Sequence, residues 1–512
     1  MPRVLLSVAD KSGLVDFAMS LVELGWDLVA TDGTEMVLRS AGLSVVSVEQ
    51  VTGFSEMLGG RVKTLHPAIF GGILARSTAS DIDALRVSGF APIGMVVCNL
   101  YSFQDTVAAL GVALQDAIEQ IDVGGVSMLR AAAKNFLRVV VVTSVNDYAK
   151  IIAGLKAAGE IDLATRRSLA VKAFAMTRDY DTAIHAFLSQ DIVHSLSTNA
   201  LPQQLSIGMQ QVEALRYGEN PHQVAGFYSR TSNSTPLGGR VLGGKQLSYN
   251  NILDLDAAWK AVSSFSQPTA IIVKHLNPTG IASADTIANA YSKALASDPI
   301  SAFGGVIAVN QTIEDDFVEA LGSLFIEAIA APAFSPSAQT LLLNNRKNCR
   351  LIEIPQPYSG REFDIRSVHG GLLVQSSDIG DPEGTILTTV TTRQPSVNEI
   401  EGLQFAWKAV QHVKSNAIVI AIAGATIGIG GGLSSRVDAA QLAVAKAGQR
   451  AKGAVMASDA FFPFADGLEV AIKAGVTAVI QPGGSIRDNE VIEAANQANI
   501  AMLFTGARHF RH

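Results

Sequence analysis

Cysteine is almost missing: Cys98 and Cys349 are the only two in 512 residues, and they lie far apart. With no partner at metal-ligand or redox spacing they exclude a disulfide scaffold and a thiolate zinc site, and they fit a reducing compartment. Charge is scarce as well, at 17% of residues, and positive charge is not in excess, the formal net charge being -7 and the pI about 5.8. No general field attracts nucleic acid, so an anionic ligand has to be held by local groups. Only Ser415–Ser435, which carries no charge over a length that could span a bilayer, could be mistaken for a membrane segment by its hydropathy. There Gly424, Gly428, Gly430, Gly431 and Gly432 break the run into two short β-rich stretches about a turn, the pattern of a buried hairpin. The apolar run Val4–Val8 is too short for a signal peptide and is followed by Asp10 and Lys11, so the expectation is a cytoplasmic protein without a membrane partner. Neither Gly-x-Gly-x-x-Gly after the first strand nor Gly-x-x-x-x-Gly-Lys-Ser/Thr occurs, which removes the dinucleotide and P-loop readings.

What is present is core material: 48% apolar residues and 45 glycines, over a length that one hydrophobic core does not fill. Short β-branched runs at Val4–Val8, Leu28–Thr31, Val45–Val48, Met95–Asn99 and Val139–Thr143 alternate with helical patterns, which predicts a parallel sheet covered by helices. Ligands of such sheets sit at the carboxyl ends of the strands. A helix is expected over about Leu163–Leu188, and Ser195–Gln204 has the composition of a linker. Beyond it, strands at Thr269–Val273, Gly305–Val309, Ala417–Ile422 and Ala478–Ile480 mix with helices, without an internal repeat, in two lobes of similar size.

Several segments could carry chemistry. Gly59–Pro67 combines a flexible entry with Arg61, Lys63 and Thr64, a reasonable clamp for a phosphate or a carboxamide, with a solvated basic loop as the plain alternative; Pro67 should keep it from being a regular helix. Asp122, Gly124 and Gly125 precede a helix carrying Arg130 and Lys134 four residues apart; the glycines can present N–H groups to an anion, and Asp122, Lys134 and the strand-end Tyr101 could share a cleft. Read blandly, Asp122 is a turn residue and the two cations are surface charges. The sharpest signal is Ala270–Gly280, where a buried strand ends in adjacent Lys274 and His275 and the loop is then fixed by Asn277-Pro278. Histidine suits proton transfer near neutrality and a neighbouring lysine suits a developing oxyanion, although a structural histidine at a strand end would look the same. Arg216-Tyr217 offers a cation and an aromatic face, and Phe461, Phe462 and Phe464 crowd one loop that could wall a flat heterocycle or simply pack in a core.

In this order, the segments Gly60–Pro67, Asn99-Leu100-Tyr101, Ile121–Gly125, Arg130–Asn135, Arg216–Gln223, Lys274–Pro278, Ser458–Phe464 and Phe504–His512 resemble the bifunctional AICAR formyltransferase/IMP cyclohydrolase family of purine biosynthesis over nearly the whole chain. The resemblance implies an α/β protein. Its expected parts are an N-terminal methylglyoxal-synthase-like parallel-sheet domain (1–198, core about 1–146) and a C-terminal transformylase region of two cytidine-deaminase-like lobes (205–512). It also implies formyl transfer from 10-formyltetrahydrofolate to AICAR, cyclisation of formyl-AICAR to IMP, no catalytic metal, and a homodimer. Lys63, Tyr101, Asp122 and Lys134 are then expected to catalyse cyclisation, and Lys274, His275 and Asn416 formyl transfer. Lys11, Thr34, Arg61, Thr64, Gly124, Gly125, Arg216, Tyr217, Arg436, Phe461 and Arg508 would bind substrate.

The chain departs from that pattern in several places. Asp32 stands where glycine is usual, beside the expected phosphate loop, and could repel a dianion unless it points away or reaches a cation; a transformylase with a degraded cyclohydrolase domain is the alternative this raises. Ser102 and Thr279 replace Pro and Cys. Ala421–Ala425 lacks a usual Lys followed by Asp or Asn, Leu433 replaces Gln, and Ala465 replaces Arg or Lys; these changes are expected to alter folate contacts or surface.

Overall fold

The computed structural model describes residues 2–55, 57–100, 103, 113–196, 201, 203–229, 234–355, 357–358 and 363–512. They divide into two compact units, Met1–Met209 and Gln210–His512.

The first unit is built on five parallel strands: β1 (Arg3–Val8), β2 (Asp27–Ala30), β3 (Val46–Ser47), β4 (Met95–Asn99) and β5 (Val140–Val142). Their order is β3-β2-β1-β4-β5. Helices cover both faces, so the strands are buried through and read as unbroken apolar runs rather than as alternation. β3 ends at Ser47, which still pairs with Ala30 of β2 but also caps the helix Val48–Thr52, exchanging hydrogen bonds with Gln50 in a capping box. The residues leading up to Pro67 form no regular helix, as expected, and Pro67 itself starts the next one: it occupies the first turn of Pro67–Leu74, where its missing N–H costs nothing, after His66 accepts from the Ala68 N–H. The long helix Leu163–Leu196 runs past Leu188 into the segment expected to be linker.

The second unit carries a small hairpin, β6 (Gln210–Leu215) with β7 (Ala225–Ser229), and a twelve-stranded sheet. One half of that sheet contains β8 (Arg240–Gly243), β9 (Thr269–Lys274), β10 (Asn277–Ser283), β11 (Val306–Val309), β12 (Ala328–Ala331) and β13 (Arg350–Glu353). After a separate hairpin, β14 (Phe363–Val368) with β15 (Gly371–Ser376), the other half contains β16 (Thr388–Thr389), β17 (Ile418–Ile422), β18 (Ala425–Gly430), β19 (Val455–Ser458), β20 (Ala478–Gln481) and β21 (Ala501–Phe504). The order is β16-β21-β20-β19-β17-β18-β10-β9-β11-β12-β13-β8. Read outwards from the β10·β18 junction, each half is a tight hairpin, an antiparallel third strand, two parallel strands and an antiparallel edge. The two lobes therefore repeat one topology, which the sequence, scanned for a fixed period, did not reveal. In both, a helix lies so close to the inner hairpin strand that a side chain cannot fit: a Cβ on Gly280 or on Gly430 would fall 1.9 or 2.0 Å from a helix carbonyl oxygen, of Ala294 or Ala439. The uncharged stretch Ser415–Ser435 is the β17–β18 hairpin and its flanks, and among the described residues no helix is long and apolar enough to cross a membrane.

Candidate active site

In the first unit, polar groups gather at the carboxyl ends of β1, β2 and β4, where a parallel sheet leaves strand ends unpaired. Asn99 at the end of β4 ties down the loop after β1, accepting from the Ala9 and Asp10 N–H groups at 2.5 and 2.9 Å. Thr34, buried, accepts from the Val8 N–H at 3.1 Å, and the Lys11 ammonium donates to the Val8 carbonyl. Burial holds the Lys11 ammonium below the ordinary lysine value, the neighbouring Asp10 opposing this. Asp32 does reach a cation: its carboxylate pairs with Lys63. The loop that carries Arg61 and Lys63 is thus anchored on acids at both cations, since Arg61 pairs with Glu119.

Asp122 turns back onto its own helix. Its Oδ1 accepts from the Gly125 N–H at 2.8 Å, so that donor is taken rather than presented to an anion, while the Asp122 N–H donates to the Tyr180 hydroxyl at 2.8 Å. Thr64 is buried against the same turn, with its Oγ1 2.9 Å from where a Cβ on Gly124 would sit. Thr64, Asp122, Gly124 and Gly125 are therefore brought together. Lys134 is not with them. It sits exposed on the last turn of the helix Gly124–Lys134, whose ten-residue rise separates its ends by about 15 Å. Arg130, on the same helix, lies over the Phe174 ring at 5.8 Å. Tyr101 lies outside the described residues.

In the second unit a cleft of about 370 Å³ opens at the β9–β10 turn, lined among others by Lys274, His275, Asn277, Thr279, Ser301 and Lys446. Lys274 ends β9 and pairs across the turn with Asn277, which starts β10. The Lys274 Nζ donates to the Phe303 carbonyl at 2.7 Å, leaving two of its protons for a ligand. Asn277 accepts from the Lys414 N–H at 3.0 Å, which ties the turn of one lobe to the approach to β17 in the other. Lys446 pairs with Asp298 at 3.0 Å. Ser301 and Lys446 escaped the sequence reading; neither stands in a motif, and only the β9–β10 turn brings them beside Lys274.

The other expected site residues do not line this cleft. Arg436, expected to contact substrate, is buried, and its guanidinium donates to Asp459, to Ser458 Oγ at 2.8 Å and to Asn416 Oδ1 at 2.8 Å. Those bonds take three of its five N–H donors and aim the Asn416 amide, whose Nδ2 donates to the Leu433 carbonyl at 3.0 Å. Arg216 and Arg508 are exposed and lie over the rings of Tyr217 and Phe510 at 5.5 and 4.7 Å. Phe461 is half-buried, Phe462 is core, and Phe464 is half-exposed beneath Arg487 at 4.6 Å rather than packed inside.

Of the departures in this unit, Thr279 lines the cleft and the others fall away from it. Ala421–Ala425 forms the β17–β18 turn beside Ser283, at the opposite end of β10 from His275, and Leu433 packs into the second lobe's core. Ala465 caps the start of the helix Asp466–Ala474. Among the described residues no group of three His, Cys, Asp or Glu side chains is placed to hold a metal ion.

Two family models match the chain: an MGS-like domain over residues 13–127 and the AICARFT/IMPCHase bienzyme over residues 132–446. The Bifunctional purine biosynthesis protein PurH of Desulfitobacterium hafniense is 48% identical over 516 residues, covering 100% of this chain and 99% of its own. Those of Sorangium cellulosum and Listeria monocytogenes are 47% and 46% identical, each over 100% of this chain and at least 99% of theirs.

Proposed function

Because the chain belongs to the AICARFT/IMPCHase bienzyme family, we propose that its two reactions are divided between its two units, with formyl transfer centred on Lys274 and His275. The chain is a bifunctional enzyme of purine biosynthesis, an AICAR formyltransferase and IMP cyclohydrolase. The observation that supports the first assignment is the cleft itself: it gathers a lysine, a histidine and amide and hydroxyl groups at a turn fixed from both lobes.

The exocyclic amine of AICAR is a weak nucleophile, its lone pair being drawn into the ring and the carboxamide. It attacks the formyl carbon of 10-formyltetrahydrofolate while His275 accepts its proton, directly or through the carboxamide; the carbon–N10 bond then breaks and N10 takes up a proton, giving formyl-AICAR and tetrahydrofolate. Lys274 steadies the tetrahedral oxyanion, and Asn416, aimed by Arg436, holds the formyl oxygen or the substrate amide. Arg216, Tyr217, Phe461 and Arg508 are assigned to the nucleotide.

Cyclisation is assigned to the first unit, residues 1–198, and transfer to 205–512. The carboxamide nitrogen attacks the formyl carbon already on the same molecule and water leaves, so alignment and oxyanion donors suffice. Asp122 and Tyr101 are assigned to the carboxamide and the formyl oxygen, with Lys11, Thr34, Arg61, Lys63, Thr64, Gly124 and Gly125 around the ligand. Lys134, a helix length from Asp122, enters this reading through the second subunit of a homodimer. A cytoplasmic location completes it.

The test separates the activities in one preparation. His275→Ala should lower formyl transfer by about 100-fold while formyl-AICAR is still cyclised at nearly the parent rate. Undiminished transfer would remove His275 from the chemistry.

A further inference from the structure

The turn that carries His275 is conformationally costly. Only His275 and Leu276 connect β9 to β10, and both have positive φ, 54° and 66°. A two-residue hairpin of this kind needs the left-handed region at both positions and is ordinarily made by Asn-Gly or Gly-Gly, because a Cβ there crowds the backbone. Histidine tolerates the region better than most residues, but leucine does not.

One side chain from outside the hairpin holds the turn. Asp254, in the middle of the helix Tyr249–Ser263, directs both carboxylate oxygens at it: Oδ2 accepts from the His275 N–H at 3.2 Å and Oδ1 from the Leu276 N–H at 2.7 Å. Two consecutive N–H groups facing one anion form a nest that only this backbone shape presents, so the carboxylate selects it. Burial raises the Asp254 carboxyl above its ordinary value, while the two N–H bonds and the nearby His275 and Lys414 favour the charged form.

The second lobe supplies an internal comparison. Its corresponding helix Val397–Val410 is capped by Ser396 in a capping box, as Ser248 caps Tyr249–Ser263. Six residues after Ser248 comes Asp254; six after Ser396 comes Gly402, with no side chain. The corresponding turn, Ala423-Gly424, also has both φ positive, 49° and 72°, but places glycine where the first lobe has Leu276. The carboxylate thus stands in the lobe whose turn bears the histidine and lacks the glycine.

We propose that Asp254 is the positioning residue of formyl transfer: its carboxylate, bridging the His275 and Leu276 N–H groups, sets the turn that presents the His275 imidazole to the cleft. This rests on the reading of His275 as the proton acceptor. Asp254 itself takes no proton and touches no substrate.

The experiment uses the full-length enzyme and measures both activities in each preparation. Asp254→Ala should lower kcat for transfer by about 10- to 100-fold, the cost of misplacing a reacting group by an ångström, with KM for AICAR nucleotide changed less than about twofold. Cyclisation should be unaffected. Asp254→Asn, which keeps one acceptor, should fall between. Adding Leu276→Gly to Asp254→Ala should recover at least about fivefold in kcat, because glycine adopts the left-handed conformation without help. Unchanged transfer in Asp254→Ala, or loss of both activities without recovery by Leu276→Gly, overturns the proposal. His275→Ala separates the two ideas: if it leaves transfer intact, the reading of His275 fails; if it abolishes transfer while Asp254→Ala does not, only the role of Asp254 fails.

Discussion

Arg436 and Asp459 form an ion pair buried from water, and the spare donor of that guanidinium fixes the amide of Asn416. A pair so placed contributes little net stability over an apolar substitute, but removing Arg436 leaves Asp459 buried without its counter-charge, with the Ser415 hydroxyl still donating to it. Arg436→Ala should therefore destabilise the second unit by about 3–5 kcal/mol, read as a lower urea midpoint, and should lose formyl transfer through Asn416. A raised KM for AICAR nucleotide with an unchanged midpoint would instead mean that Arg436 binds substrate.

The Lys63–Asp32 pair makes a smaller prediction. Both groups are partly exposed, so the pair is weak, but it competes with a ligand anion for Lys63. Asp32→Gly should lower KM for formyl-AICAR by at most about fivefold, the range of a surface pair, and leave transfer alone. A cyclisation rate in the parent already equal to that of Asp32→Gly would show that the acid is harmless where it stands.

The strands of the first unit were legible because burial on both faces demands unbroken β-branched runs, and the β17–β18 hairpin because its glycines break an otherwise uncharged stretch. Local competition was harder to read. Ser47 ends a strand and caps a helix at once, and Pro67 closes an irregular segment and opens a helix. In the site, Lys274 and His275 stand out because they lie at the end of a buried strand, whereas the buried pairing of Arg436 with Asp459 is visible only in the folded structure. Asp254 left a fainter signal. It lies three residues after buried Asn251 and four before buried Ala258, which puts an acid on the covered face of a helix, where it must have a partner. The repeated lobe topology left a short signal at wide spacing: Ala258–Val262 and Ala406–Val410 both read Ala-Trp-Lys-Ala-Val, on the helices that Ser248 and Ser396 cap, whereas paired turn positions such as His275-Leu276 and Ala423-Gly424 share a backbone shape but no side chain.

Two histidines should tilt stability in opposite directions. Burial holds His412, beside Ser264 Oγ at 3.0 Å, down to about 3, so below pH of about 6.5 the unfolded chain binds a proton there that the fold does not, and stability falls as pH falls. His509 is raised instead: burial opposes its charge, but Asp378 at 2.7 Å and Asp381 at 2.9 Å outweigh it. Its contribution is full below about pH 6.5 and is lost as pH climbs through the raised value. His412→Gln should flatten the acid side of the urea midpoint against pH, and His509→Gln the alkaline side. The reverse pattern would refute the assignment.

The position of Lys134 predicts how cyclisation is shared between subunits. Asp122 lies two residues before the helix Gly124–Lys134 and Lys134 ends it; the two ends of that helix are about 15 Å apart, farther than a lysine side chain reaches back. If Lys134 serves the ligand held by the Asp122 of a second copy, Lys134→Ala and Asp122→Ala should each abolish cyclisation alone yet complement when mixed. Random exchange makes half of the dimers mixed, and each mixed dimer then has one site with both residues intact. Cyclisation should return to about a quarter of the parent rate per chain, as two-fold symmetry requires. Formyl transfer, measured in the same mixtures, reports that the dimers are folded. No recovery on mixing would confine Lys134 to its own subunit, and undiminished cyclisation in Lys134→Ala would remove it from the reaction.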